Sequence, residues 1–325
     1  MGKHALRLIA VAAIFGIGSG AIARASELPS SIKLVVPYPP GGGTDAVARL
    51  VASSLGTALG VPMIVENRSG GATVPATDAV AKSPADGGTL LFVTDTFGIN
   101  DAANKQLPYD TIRDFRPIAK LVNLPMVLSG SSQRPTRWKS MDELVKFARS
   151  NPGKVTFGSL GSSSPHELTM AYFAKRQGIN ILNVPYRGTT PALQDLVAGQ
   201  IDITFTNVAA SEQFNADGKI YRIAVTSPDR AVGAKEVETA REQGYPDLTL
   251  LTWFGIVAPA GMPPALVERY YREIEKISQS QQLQKLVASI GGEVSVSGPD
   301  SFLEFIKNDV ARYRKMIEET GIKVE

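Results

Sequence analysis

The stretch VVPYPPGGGTDAVARL (residues 35–50) joins an apolar segment to a helical pattern through a turn crowded with proline and glycine. The run that leads into it, Ile32–Val36, is short and β-rich, which is typical of a buried strand. After the turn, apolar residues recur at helical spacing over Thr44–Leu59, with Thr44 as a candidate N-cap and Gly60 beyond the end. The stretch therefore predicts a strand, a shaped turn and a helix.

The same alternation of strand and helix continues along the chain, and it predicts an α/β fold with a parallel sheet. The further predicted strands are Pro62–Val65, Thr89–Thr94, Val155–Phe157, Ile181–Val184, Ile201–Phe205 and Ile220–Val225. The further predicted helices are Ala72–Lys82, Ser140–Ser150, Pro165–Gln177, Thr190–Ala198, Pro264–Ile290 and a last one that opens at Asp300 or Ser301, where Ser301 and Glu304 fit a capping box.

Two long apolar segments, Ile118–Leu128 and Leu250–Ala258, are predicted to connect two α/β lobes. A chain that crosses twice makes the first lobe discontinuous, with residues 26–125 and 252–325 in lobe 1 and residues 126–251 in lobe 2. A crossing of two strands is a hinge geometry that suits closure on a ligand.

Residues 1–25 have the organisation of a secretory signal peptide. Basic residues precede the apolar run Leu8–Ile22, and Ala23–Ala25 forms an A-x-A cleavage site. The alternative is a membrane anchor, but the run has about 15 residues, whereas a spanning helix needs ~20. We therefore expect export from the cytoplasm, with cleavage near Ala25.

The composition excludes several classes of site. The leader holds three of the 34 Lys and Arg residues and none of the 31 Asp and Glu residues, so the remainder is formally neutral and gives no sign of a nucleic-acid or anionic membrane partner. The chain has no cysteine, which excludes disulfides, thiolate nucleophiles and cysteine–metal sites. One of its two histidines, His4, lies in the leader, so only His166 remains and a two-histidine metal site is impossible. We predict no metal and no cofactor.

The glycines at 41–43 are predicted to help bind an anion. Glycine lets backbone N–H groups converge on a ligand without a Cβ in the way, and the helix that follows adds unpaired amides and its dipole. The Thr44 hydroxyl and the Asp45 carboxylate either contact the ligand or cap the helix, and both roles are open at this level.

The same turn also matches the loose dinucleotide fingerprint G-x-G-x-x-A, with Glu66 ~20 residues further on. Three observations weigh against a dinucleotide: the prolines lengthen the turn, export removes the chain from nicotinamide pools, and no candidate acid or base for hydride transfer is evident. A phosphate-binding P-loop is excluded because no Lys-Ser/Thr pair follows the glycines.

A second turn from strand to helix, Gly158–Pro165, offers consecutive serines and free amides. Two such turns on opposite lobes are suited to hold the two ends of a small diacid. His166 follows the second turn and suggests a hydrolase, but no G-x-S-x-G elbow is present, and a helix-face or cleft-rim histidine is favoured. Phe97 follows strand Thr89–Thr94, at the end where α/β sheets bind ligands, and is either a cleft wall or loop packing.

Six segments that occur in order carry a resemblance to a known family: VVPYPPGGGTDAVARL, VPMIVENRSGGAT, PADGGTLLFVT, LPYDTIRDFRPIA, VPYRGTTPALQDLVAGQID and WFGIVAPAGMPP. Together they resemble the Bug family, the TctC-like solute receptors of tripartite tricarboxylate transporters, over essentially the whole mature chain. The resemblance implies a monomeric periplasmic "Venus flytrap" with two crossing strands. It also implies no catalysis: the lobes close on a small organic carboxylate, a di- or aromatic acid, which passes to membrane permease subunits. The alternative is an exported enzyme, a hydrolase through His166 or an oxidoreductase through the glycine loop.

By the family pattern, the Tyr38–Asp45 loop of lobe 1 and the Ser159–Ser164 loop of lobe 2 hold the carboxylate groups of the ligand through amides, hydroxyls and waters. Tyr186 and Arg187 are cleft-facing by the same resemblance, although Arg187 also fits an ordinary surface ion pair. The predicted ligand-binding set is Tyr38, Gly42, Gly43, Thr44, Asp45, Asp95, Phe97, Ser159, Gly161, Ser162, Ser163, Ser164, His166, Tyr186, Arg187 and Asn207.

Three departures from the family pattern bear on the ligand. His166 is shifted by one position, and Thr206-Asn207 stands where relatives often have Asp-Asn, so an acidic group that meets a ligand amine is absent there. Asp95 and Phe97 replace residues that are usually small or amide-bearing, and the bulkier Phe97 suits an aromatic or longer carboxylate. The identity of the acid stays open.

Overall fold

The computed structural model of the chain describes residues 28–103, 106–161 and 164–322. The predicted signal peptide lies outside these residues. None of the helices in the described ranges is long and apolar enough to cross a membrane.

Strands and helices alternate through most of the described chain, as the sequence predicts. The strands are β1 (Ile32–Val36), β2 (Met63–Asn67), β3 (Thr89–Thr94), β4 (Phe115–Ser131), β5 (Val155–Ser159), β6 (Ile181–Pro185), β7 (Ile203–Asn207), β8 (Ile220–Val225), β9 (Leu251–Pro259) and β10 (Glu293–Ser297). The α-helices are α1 (Gly43–Leu59), α2 (Val74–Ala81), α3 (Thr96–Ala103), α4 (Met141–Ser150), α5 (Pro165–Gln177), α6 (Thr189–Ala198), α7 (Val208–Ala216), α8 (Pro264–Ser278), α9 (Gln281–Ser289) and α10 (Pro299–Thr320). Short 3₁₀ turns lie at Gly71–Thr73 and Val232–Ala234.

The strands form one sheet in the order β2-β1-β3-β9-β4-β7-β5-β6, with β10 and β8 also paired to β4. Strand β1 is parallel to β2 and β3, and β5 is parallel to β6 and β7. The sheet thus contains two parallel blocks on either side of the antiparallel pair β4 and β9.

Strand β4 crosses from one block to the other and changes its partners at one point. Up to Pro125 its residues pair with β9, and from Met126 onward they pair with β7 on one side and, from Val127, with β8 on the other. The chain returns through the start of β9, where the Leu250 N–H donates to the Thr226 carbonyl at 3.0 Å just before Leu251 pairs with Pro125. The two predicted connectors are thus extended and adjacent.

The first block is buried on both faces of the sheet, which explains its continuous apolar runs. Leu34 and Phe92 pack under α1 and α8 in one core. Val35 and Leu91, one position away in the same strands, pack in a second core that includes residues of α2 and α10. The second block has its own core, centred on Phe157, Phe173 and Phe205.

Helix α10 ties the two blocks together. Its Tyr313 and Met316 share a buried cluster with Ile99 of α3 and with Leu168 and Tyr172 of α5. The same helix reaches the returning segment, since the Arg312 guanidinium donates to the Thr249 carbonyl at 2.9 Å.

Several predicted helix boundaries are wrong. Helix α1 begins at Gly43 with the extended residue Gly42 as its N-cap, so Thr44 lies inside the first turn and no side chain caps the helix. The predicted helix Pro264–Ile290 is two helices, because the Ser280 hydroxyl accepts from the Leu283 N–H and starts α9.

The predicted start of the last helix, at Asp300 or Ser301, is also too late. The helix starts at Pro299 with Gly298 as its N-cap, so Ser301 is a helical residue and the capping box is wrong. Proline suits the first helical position because it has no N–H that would need a partner there and its φ is already helical. The sequence analysis did not predict helices α3 and α7 or strand β10, although Glu293–Ser297 alternates polar and apolar residues.

We expect Gly255→Ala to destabilise the protein by about 1–3 kcal/mol, the usual cost of overpacking a core. A Cβ at Gly255 in β9 would lie 2.3 Å from Cζ of the buried Phe302 and 3.0 Å from the Ala119 carbonyl oxygen. Urea unfolding measures the change. In the double variant with Phe302→Leu, which removes the clashing ring, the loss should be smaller than the sum of the two single losses. An unchanged midpoint in Gly255→Ala would contradict this packing.

Candidate functional site

The directions of the strands bring the ends of both parallel blocks to one place. Strand β9 is antiparallel to both β3 and β4, so β1, β2 and β3 run in the direction of β4, toward the second block. Strand β7 is antiparallel to β4, so β5, β6 and β7 run back toward the first block. The carboxyl ends of six strands therefore face the junction, the edge at which open α/β sheets bind ligands.

A cavity of about 300 Å³ lies at the carboxyl ends of β1 and β3. Its walls come from the glycine turn, the end of β3, the crossing strands and the end of α9. The lining residues are Tyr38, Gly43, Thr44, Thr94, Asp95, Thr96, Leu124, Thr252, Phe254 and Ile290. Hydroxyl and backbone groups dominate its polar part, and no lysine or arginine lines it.

The glycine turn presents the open end of α1 to this cavity. Gly43 and Thr44 are the first residues of the helix and both line the cavity. The first N–H groups of a helix have no partner within it, and no side chain caps α1. The turn therefore offers unpaired amides and the positive end of a helix dipole, which together favour a carboxylate.

Asp45 fixes the shape of this turn from beneath. Its carboxylate, 3% exposed, accepts hydrogen bonds from the Gly41 N–H at 3.0 Å, Arg49 Nε at 2.8 Å and Asn67 Nδ2 at 2.8 Å. Burial alone would raise its pKa, but the bonds from Arg49, Gly41 and Asn67 outweigh it and hold the pKa below the usual range. The Asp45 carboxylate thus binds groups of the protein itself and does not line the cavity.

Tyr38 and Thr94 meet at the wall of the cavity, where their hydroxyl oxygens are 2.5 Å apart. Burial raises the pKa of Tyr38 to about 12, so this phenol stays neutral at physiological pH. The pair supplies neutral hydroxyls next to the amides of the turn.

Asp95 is the one acidic residue among the lining residues of the described cavity. It follows β3, is 6% exposed, and accepts a hydrogen bond from the Thr252 hydroxyl at 3.3 Å. Burial, and then the negative charge of Asp309, raise its pKa to about 6. Its carbonyl accepts from the Gly98 and Ile99 N–H groups and so starts α3.

Phe97 lies away from the cavity, in the core of the first block. Its ring centroid is 5.2 Å from that of Phe115 in an edge-to-face contact, and its side chain is buried. Of the two roles left open by the sequence, the structure places this side chain in packing.

The second predicted turn lies at the carboxyl end of β5. Ser159 is fully buried and its hydroxyl has no partner among the described residues. Gly161 has a positive φ of 98°, which favours glycine, and the Ser164 hydroxyl caps α5 by accepting from the Glu167 N–H. Ser162 and Ser163 lie outside the described residues.

His166 lies behind this turn and packs on Phe205, with 5.7 Å between the ring centroids. It is 7% exposed, and neither ring nitrogen has a hydrogen-bond partner among the described residues. Burial lowers its pKa to about 4, so the imidazole is neutral at physiological pH. The environment resembles a packing position more than that of a catalytic base.

The remaining predicted residues have separate partners. The Tyr186 hydroxyl donates to Asp195 Oδ2 at 2.7 Å, and Arg187 is exposed. Asn207 Oδ1 accepts from two N–H groups at the start of α7, and its Nδ2 donates to the Ile290 carbonyl at 2.9 Å. Since Ile290 lines the cavity, Asn207 links the end of β7 to its wall.

The structure thus brings four predicted residues, Tyr38, Gly43, Thr44 and Asp95, to one cavity. Sequence reasoning missed several lining residues: Thr94, Thr96, Leu124, Thr252 and Ile290. Thr94 and Thr96 flank Asp95 at the end of β3, and the sequence pattern could have predicted them as lining residues. Leu124, Thr252 and Ile290 come from distant segments that only the folded sheet brings together.

Comparisons with known proteins agree with this geometry. The family model "Tripartite tricarboxylate transporter family receptor" matches residues 47–322. Protein BugT of Bordetella pertussis is 32% identical over 324 residues, which are 98% of this chain and 99% of that protein.

Two solved structures share the whole fold. A TctC solute-binding protein from Polaromonas, solved without ligand, is 26% identical, with a TM-score of 0.81 over 89% of this chain and 98% of its own. A protein of R. palustris solved with adipate is 30% identical, with a TM-score of 0.72 over 90% of this chain and 98% of its own. These matches confirm the predicted resemblance, the two-lobed α/β fold and the prediction of a receptor rather than an enzyme. The chain belongs to the receptor family of the tripartite tricarboxylate transporters.

Proposed function

We propose that this protein is a periplasmic receptor that captures a small organic carboxylate, a di- or aromatic acid, by closure of its lobes. The observation that carries the proposal is the uncapped start of α1, whose unpaired amides line a cavity at the junction of the two blocks. A helix N-terminus with glycine at the contact is suited to a carboxylate. The relative solved with adipate supports this class of ligand.

We assign residues 26–125 and 252–325 to lobe 1 and residues 126–251 to lobe 2. The assignment is supported by the change in pairing along β4, where Pro125 pairs with Leu251 of β9 and Met126 pairs with Asn207 of β7. The few residues between the two blocks are then the hinge.

The ligand is held between two sets of donors, which are neutral except for Arg187 in lobe 2. In lobe 1 these are the amides of Gly42, Gly43 and Thr44 with the hydroxyl groups nearby. In lobe 2 they are Ser159, the Gly161–Ser164 loop, Tyr186, Arg187 and Asn207. Asp45 contributes by fixing the glycine turn, and Phe97 and His166 support the walls from behind.

In this proposal the chain is exported and cleaved near Ala25, and it acts as a monomer without a cofactor. It delivers its ligand to the permease subunits of a tripartite tricarboxylate transporter. The alternative of an exported hydrolase or oxidoreductase gains no support from the family, and His166 is placed as a neutral, buried group.

The first test is a thermal-shift and calorimetric screen of the purified mature chain with succinate, malate, adipate and benzoate. We expect at least one of these acids to stabilise the protein without being consumed, since a ligand that binds only the folded state raises the melting temperature. Stabilisation by nucleotides alone, or turnover of the acid, would overturn the proposal.

The second test is Gly42→Val, whose branched side chain we expect to hinder the approach of a carboxylate to the amides of the turn. The expected loss of affinity is about 10–100-fold, the size of one weakened hydrogen bond to a charged group. The position is chosen because a Cβ at Gly42 meets nothing within 4 Å and its φ of −82° suits any residue, so the fold is retained. The control is Gly42→Ala, with a smaller side chain and a smaller expected loss. Unchanged affinity in Gly42→Val would place the ligand elsewhere.

A third prediction concerns the buried imidazole behind the second turn. Because the folded-state pKa of His166 is lowered to about 4 and the unfolded value is ~6.5, its contribution is fully present above pH 6.5 and is lost as the pH falls toward 4. The loss is on the order of 3 kcal/mol. Urea unfolding at pH 7 and at pH 4.5 should show it, and the His166→Phe variant should lose less stability over the same range. An imidazole NMR titration with a midpoint near 6.5 would contradict the assignment.

A further inference from the structure

A buried cluster of charged residues lies directly beneath the cavity. It contains the carboxyls of Asp95, after β3, and Asp309, on α10, together with the guanidinium of Arg312. Asp95 alone of these three residues lines the cavity. The cluster therefore has one acidic face toward the proposed carboxylate site.

The cationic groups of the cluster lie against Asp309. The charge of Arg312 also lowers the pKa of Asp95, but less than burial and Asp309 raise it. Arg312 Nη2 donates to Asp309 Oδ1 at 2.6 Å, and the Trp253 indole N–H donates to Asp309 Oδ2 at 3.0 Å. Lys120, on β4, is buried over the ring of Phe305 and is also attracted by Asp309. Asp309 thus has both charge partners and hydrogen-bond donors.

Asp95 has weaker charge partners and fewer hydrogen-bond donors than Asp309. Its contacts are hydroxyl donors, Thr252 at 3.3 Å and the neighbouring Thr94, and no ion pair joins it to a cation within the described part of the chain. A carboxylate ligand in the same cavity of about 300 Å³ adds another negative charge next to it. Like charges that share a small, buried site cannot both stay ionised at low cost.

We propose that Asp95 takes up a proton from solvent when a carboxylate binds, and donates the resulting O–H as a hydrogen bond within the site, so that the receptor captures its anion together with a proton. This inference rests on the proposed function and specifies the selectivity of that site. A neutral Asp95 favours an anionic ligand and gives no counter-charge to a ligand ammonium group.

The electrostatics of the unliganded protein point the same way. Burial and Asp309 already raise the pKa of Asp95 to about 6, and a bound anion raises it further. The proton is therefore bound more tightly in the complex than in the free protein. By linkage, affinity is greatest below pH 6 and falls as the pH rises above the pKa of the free protein.

Among the groups near Asp95, Tyr38, Tyr313 and Arg312 stay in one form near neutral pH. Burial raises the pKa of Tyr38 to about 12, and it also raises the pKa of Tyr313 on α10. The neighbouring Tyr313 and Asp309 raise the pKa of Arg312 against the effect of its burial, so it stays charged. The pKa of Lys120 is lowered by burial, but its charge faces Asp309. Asp95 is thus the residue whose replacement tests the linkage.

The experiment measures the Kd of adipate, or of the acid with the largest shift in the screen above, by calorimetry from pH 6 to pH 8.5. In the native sequence we expect Kd to rise with pH, by up to ~10-fold per unit for one linked proton. Calorimetry at pH 7.5 in two buffers with different ionisation enthalpies should show uptake of up to one proton per ligand. Ordinary carboxyls have pKa values near ~4, so the ligand itself contributes little above pH 6.5.

The decisive variant is Asp95→Asn, which has the same shape and is permanently neutral. We expect it to bind more tightly than the native protein at pH 8, with a flat pH profile and no proton uptake. A gain of affinity cannot arise from misfolding. Asp86→Asn, an exposed change of the same charge before the other end of β3, should keep the native profile.

Several outcomes overturn the inference while leaving the receptor function intact. These are a native Kd that does not change with pH, an affinity that rises with pH, as a ligand ammonium held by ionised Asp95 would give, or an Asp95→Asn variant that is weaker at every pH. If no acid in the screen binds the native protein or the variant at any pH, the proposed function fails first.

Discussion

The whole arrangement depends on one strand, β4, which belongs to both halves of the sheet. Its pairing partner changes from β9 to β7 between Pro125 and Met126. The pairings of β9 and β7 with β4 set the directions of the two parallel blocks. Because both parallel blocks are oriented by the same strand from opposite sides, their carboxyl ends must face each other. The proposed site between two strand-to-helix turns rests on this constraint, and the returning segment before β9 lies beside β4 at the crossing.

The cavity that results is built to receive an anion without a cationic side chain. Its donors are amides at the start of α1 and the hydroxyls of Tyr38, Thr44 and Thr94. Neutral donors bind a carboxylate more weakly than an arginine fork does, which suits a receptor that must release its ligand. The charged groups near the turn lie behind it and do not line the cavity. Arg49 and Asn67 donate hydrogen bonds to the Asp45 carboxylate, and this carboxylate accepts the N–H of Gly41.

Local patterns predicted most of the fold, because strand and helix periodicity is written within a few residues. Strand β1, strand β3 and helix α5 have the predicted bounds. The break in Pro264–Ile290 and strand β10 were missed, although Ser280 and the polar–apolar alternation of Glu293–Ser297 are local signals for them. The site shows a different division. The glycine turn was evident from its sequence, whereas the contributions of Thr252 and Ile290 exist only once β9 and α9 have packed beside it.

Asp45 and Asp95 show why a residue type alone does not decide the chemistry of such a site. Both carboxyls are almost fully buried, and burial alone would raise both pKa values. Asp45 has a guanidinium, an amide and a backbone N–H, and its pKa is lowered. Asp95 has hydroxyls and a neighbouring carboxylate, and its pKa is raised to about 6. The first is therefore a fixed charge that shapes the turn. The second is poised to change its charge when an anion enters, and an acidic residue inside a carboxylate site then assists binding.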